Sequence, residues 1–136
     1  MELNDIVRDT AKIDQGAWIG EIPEMGELRL KVRGTSNSDF QRMMQKLVAA
    51  VPRAKKQGGR VDPIEMDRIM GSCAHATLLL DWEGVKVNGE LRPYDRELAF
   101  KLCTDPAYQK FVKAVTWAAG EVDELTAENE KADAGN

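Results

Sequence analysis

Asn88-Gly89 is the feature that most constrains what this chain can become. Both central residues of a type I′ turn need positive φ, which Asn tolerates and Gly adopts without steric cost. Val85, Val87 and Leu91 alternate with polar neighbours around it, as in a ribbon with one buried face. Pro93, with no N–H to donate, stops further pairing. Asp95 is then placed to cap a short helix over residues 96–103. Asp105-Pro106 repeats the device, a cap followed by a first-turn proline, and opens the last helix. The order from Trp82 to Pro106 is therefore helix end, ribbon, short helix, long helix.

The rest of the chain is read around that module. Residues 1–14 are polar and expected to form a loosely ordered arm. Leu28, Leu30 and Val32 alternate with charged residues, so 27–33 is predicted as a half-buried strand. It pairs across Pro23-Glu24-Met25-Gly26 with residues 17–22, and Trp18 and Ile22 face the core. Phe40, Met43, Met44, Leu47 and Val51 form one apolar stripe on a helix over 39–51, entered through Ser36-Asn37-Ser38. After a basic loop at 53–61, Asp62-Pro63 with Glu65 opens a helix predicted to run to about Leu80. The last helix, over 106–127, buries Tyr108, Phe111, Val112, Val115, Ala119 and Val122. The expected fold class is thus α+β and mainly helical: three main helices and one short one, an N-terminal β-hairpin and a second small β-ribbon. Residues 15–127 form the globular domain, and 128–136 read as a disordered acidic tail.

Charge and cysteine usage narrow the function. The net charge is −4; from Glu121 onward six acids and one base give −5, leaving +1 for the remainder. The basic cluster Arg53, Lys55, Lys56 and Arg60 has no interleaved aromatics for stacking, which does not favour nucleic acid as a partner. Cys73 and Cys103 lack CxxC spacing and read as reduced, buried thiols. No apolar run approaches the ~18 residues of a membrane span. The N-terminal MELNDIVRDT has neither the basic nor the apolar region of a signal peptide, so the cytoplasm is the expected location.

No pattern points to catalysis. His75 is the one histidine, and Cys73, two residues before it, falls on a different helix face. A metal site needs three or four ligands. Gly58-Gly59 is followed by Arg-Val-Asp-Pro rather than the Lys-Ser/Thr of a phosphate loop. The expectation is a non-enzyme without cofactor or metal. Binding is better signalled. On a helical wheel Trp117 falls opposite the buried stripe, close to Lys110 and Ala114. Phe100 points away from Leu98 and Leu102, the expected buried side of its helix. Phe100 and Trp117 are the candidate partner-binding residues, because large aromatics on polar helix faces commonly make contacts. Trp82 and Trp18 read as core anchors.

The ordered set Trp82, Gly84, Gly89, Pro93, Tyr94, Asp105 and Pro106 also resembles the tail assembly chaperone family of long-tailed bacteriophages. In that family an apolar helix ends in Trp-x-Gly, a Gly turn precedes Pro-aromatic-Ser, and Asp-Pro follows. Asp95 stands here where the family usually has Ser, and both cap helices well. The likeness extends loosely through Gly16-Ala17-Trp18 and Val32-Arg33-Gly34 with Asn37. It implies a non-enzymatic protein of the host cytoplasm that binds the tape measure protein, keeps it soluble and helps recruit tail tube protein. The alternatives are a minor tail or connector protein retained in the virion, and a regulator binding nucleic acid through 53–60.

Overall fold

The computed structural model describes residues 1–127; the acidic tail expected over 128–136 lies outside the described residues. In chain order, a 3-10 turn (Leu3–Ile6) leads to α1 (Thr10–Gln15), β1 (Ala17–Ile19), β2 (Arg29–Val32) and α2 (Ser38–Ala49). A second 3-10 turn (Arg53–Lys55) precedes β3 (Lys56–Gln57), β4 (Arg60–Val61) and α3 (Pro63–Cys73). A π-helical segment (Ala74–Leu78) continues into β5 (Leu79–Glu83). Then come β6 (Lys86–Val87), β7 (Glu90–Leu91), α4 (Arg96–Thr104), a 3-10 turn (Pro106–Tyr108) and α5 (Gln109–Asp123). The class is α+β, with α2, α3, α5 and the shorter α4 as expected, and small antiparallel sheets.

The central sheet has the order β1-β2-β5, all antiparallel. Its third strand corrects the sequence reading, which carries a helix to Leu80 and ends it at Trp82. Three contiguous leucines cannot distinguish a buried helix from a buried strand, and tertiary partners decide. Arg33 N–H donates to the Leu78 carbonyl at 2.9 Å, and Asn37 Nδ2 to the Thr77 carbonyl at 3.2 Å. The carbonyls that would continue the helix are thereby taken by the β2–α2 connection. Lys31 faces Asp81 and Val32 faces Leu79, so Leu80 is a bulged extra residue. The bulge lets Leu79 and Trp82 both turn inward while Leu80 is exposed.

The core lies between this sheet and the helices. Leu30, Val32, Leu78, Val112, Val115 and Val122 are fully buried at its centre. Trp82 is a core residue, as expected, set edge-on to Tyr94 (centroids 5.0 Å apart) and Phe111 (6.0 Å). Its indole Nε1 donates to the Arg92 carbonyl at 2.9 Å, closing the base of the β6–β7 ribbon. That ribbon forms as its turn requires, with φ of 53° at Asn88 and 81° at Gly89.

Several local expectations change. The 1–14 arm ends in a helix, Thr10–Gln15, that Asp9 caps and that buries Ile13. Asp9 N–H donates to the Leu125 carbonyl and Ala127 N–H to the Val7 carbonyl, fastening this segment to the residues just after α5. The 53–61 loop contains the β3–β4 ribbon, turning at Gly58-Gly59. Leu91 is exposed, because nothing packs over that side of a two-residue strand. Tyr108 is exposed rather than part of the α5 stripe: it lies in the 3-10 turn, out of phase with the helix that follows. Trp18 is half-buried outside the core, with the Arg29 guanidinium 5.5 Å from its ring centroid.

Candidate partner-binding surface

Asp95 fixes the start of α4 by accepting from Leu98 N–H at 3.0 Å. Ala99 and Cys103, four residues apart, face the core, while Leu98 and Leu102 pack at its edge. Phe100 is thereby turned outward and is 54% exposed. Its ring meets His75 edge-on, with centroids 5.2 Å apart and an interplanar angle of 80°. His75 belongs to the π-helical segment, and its Nε2 lies 3.2 Å from the Arg96 carbonyl, the first residue of α4. The widened π turn thus positions the imidazole against α4. His75 reads as a support for Phe100 and for the start of that helix.

Trp117 stands on α5 with Lys110, Lys113 and Ala114, all at three- and four-residue spacing and hence on one face. It is 38% exposed. The opposing wall is the β1–β2 connection: Ile22, Pro23, Glu24 and Met25 join those four α5 residues around a groove of about 170 Å³. Met25 N–H donates to the Ile22 carbonyl at 3.1 Å, closing a turn with Pro23 and Glu24 at its centre. Glu24 has φ of 66°, the left-handed value that a type II turn demands at this position and that glycine usually supplies. The groove therefore has one wall set by a helix and one by a proline-stiffened turn. Proline before a position needing positive φ was the available sequence signal for that wall.

Phe100 and Trp117 are both exposed, but α4 buries Ala99 and Cys103 rather than centring its buried side on Leu98 and Leu102 as expected, and the surroundings of the two aromatics differ. Phe100 sits against His75 and Trp117 against the Ile22–Met25 turn. They are two separate exposed aromatics, on α4 and on α5.

The other candidate chemistries are met by ordinary structural roles. Cys103 is buried, and burial pushes its thiol up to about 12, opposite to the shift that makes a cysteine nucleophilic. Cys73 is pushed up by burial as well. No group of three or more His, Cys, Asp or Glu side chains able to hold a metal occurs among the described residues. In the basic cluster, Lys55 Nζ donates to Glu65 Oε1 at 2.9 Å, and Arg68 engages Oε2 at 2.6 Å. These bonds, that from Lys55 first, hold the Glu65 carboxyl below its usual range. One of the four bases is thus committed to an internal pair. No helix among the described residues is long and apolar enough to cross a membrane.

Residues 35–136 match a family model described as YdaY prophage protein. The match begins at the β2–α2 connection and covers both α4 and α5. No curated protein and no solved structure matches the chain.

Proposed function

The chain belongs to the YdaY prophage protein family, and from the resemblance of its Trp82–Pro106 stretch to tail assembly chaperones we propose that it is a non-enzymatic chaperone of that kind. In this reading it binds the tape measure protein in the host cytoplasm, keeps that long helical chain soluble, and aids assembly of the tail tube around it. The observation that carries the reading is the outward placement of Phe100 and Trp117 on two helices whose other large apolar residues mostly face the core. Exposed aromatics flanked by charge suit an amphipathic helical client: they supply apolar contact, and the surrounding charge opposes self-association. The buried, unreactive thiols fit a binding role better than a covalent one.

Co-expression with the tape measure protein of the same prophage tests this reading. Co-purification, together with loss of client solubility when this chain is withheld, is the expected result. Absence of both would overturn it. Detection of the protein in purified particles would instead favour a retained tail or connector subunit.

A further inference from the structure

We infer that the groove between Trp117 and the Ile22–Met25 turn receives a single apolar side chain from an acidic, amphipathic partner segment, with Lys110 and Lys113 meeting the partner's carboxylates. The inference deepens the chaperone reading and rests on it for the biological partner, while the chemistry of the groove stands by itself.

Size excludes most other occupants. At about 170 Å³ the groove lies below the ~300–1,000 Å³ of small-molecule sites. It is close to the ~150 Å³ cavity that holds one benzene, which matches a phenylalanine or leucine side chain. The lining suits such an anchor, with Ile22, Pro23, Met25, Ala114 and Trp117 contributing apolar surface.

Charge selects the flanks of the occupant. Lys110 and Lys113 lie on the same α5 face as Trp117, and neither makes an ion pair among the described residues. In a chain of net charge −4, these two unengaged cations beside an exposed tryptophan form a local positive rim. Glu24 lines the opposite wall, so the preference for acid is confined to the α5 side. A helix presenting an apolar residue with carboxylates one turn away would seat the anchor and both charges together. The positive φ of Glu24 supports a built wall, since a non-glycine residue is held there only where its surroundings fix it.

The test uses the full chain and two designed amphipathic helical peptides with the same apolar face, one flanked by glutamates and the other by lysines. Binding is read by fluorescence, with Trp117→Phe identifying the reporting tryptophan. The acidic peptide should bind at least tenfold more tightly and weaken with salt. Lys110→Glu with Lys113→Glu should reverse the preference, whereas Arg53→Glu with Lys56→Glu should leave it unchanged. Equal binding of both peptides, or indifference to the Lys110/Lys113 reversal, would overturn the inference. The same double reversal in the tape measure pull-down separates the two readings. Client binding that survives reversal removes the groove and keeps the chaperone, while peptide selectivity without client binding does the opposite.

Discussion

Asn37 donates its side-chain amide to the carbonyl of Thr77, 3.2 Å away and 40 residues along the chain. The same side chain accepts from Phe40 N–H at 2.8 Å, capping α2, and donates to the Gly34 carbonyl at 2.7 Å. One buried residue thus starts a helix and marks where another chain segment changes from π-helix to strand. Asn37→Asp keeps the acceptor for the cap but sets a carboxylate against two carbonyl oxygens. It should destabilise the fold more than Asn37→Ala, which should itself cost about 1–3 kcal/mol from a lost cap and from two buried carbonyls that each lose one of their donors. Urea unfolding of both variants checks the order; equal stability of Asn37→Asp and the parent would refute it.

Gly71 on α3 lies so near the Cys103 carbonyl on α4 that a β-carbon there would overlap it. The obstacle is backbone rather than a flexible side-chain tip. Gly71→Ala should therefore separate the two helices and cost at least about 2 kcal/mol, although alanine is the better helix former. Thermal unfolding would show it as a lower Tm. An unchanged or higher Tm would mean that the helices are not so closely apposed.

The buried thiols make stability fall in alkali. Cys103 is pushed up to about 12 by burial, from an ordinary value of 9.0. Its neutral form is favoured in the fold, so this contribution is intact below pH 9 and is lost as pH rises from 9 toward 12. The slope is about 1.4 kcal/mol per pH unit in that window. Tyr94, raised chiefly by burial, acts in the same direction. Denaturant midpoints between pH 8 and 10.5 should decline in the parent and less steeply in Cys103→Ala. Thiol titration of the native protein at pH 8 should be slow at both cysteines and become rapid on unfolding.

Phe100→Ser and Trp117→Ser should separate binding from folding. Phe100 loses mainly its edge contact with His75, a cost of about 1 kcal/mol. Trp117 is more than half buried and should cost about 1–3 kcal/mol. The double variant should remain folded by circular dichroism yet no longer keep the tape measure protein soluble. Retained solubilisation would reject these two residues as the contact site.

By itself the sequence determined the local elements whose causes lie within a few residues. The Asn88-Gly89 ribbon follows from backbone φ. The starts of α2, α3 and α4 follow from Ser36-Asn37-Ser38, Asp62 and Asp95; in the structure Asn37, Asp62 and Asp95 each accept a nearby N–H. The outward placement of Trp117 follows from helical phase, whereas that of Phe100 is set by α4 burying Ala99 and Cys103. Only the tertiary structure decided what depends on distant partners. Leu79 to Trp82 became strand because β2 offered hydrogen bonds and the Thr77 and Leu78 carbonyls were claimed by Asn37 and Arg33. The polar N-terminal segment gained a helix where Leu125 and Ala127, just after α5, accept and return its backbone bonds. The groove beside Trp117 arose because a turn more than 80 residues earlier in the chain folds against α5. Short-range propensity fixes φ and helix phase. Competition for backbone hydrogen bonds and buried surface is settled only when remote segments meet.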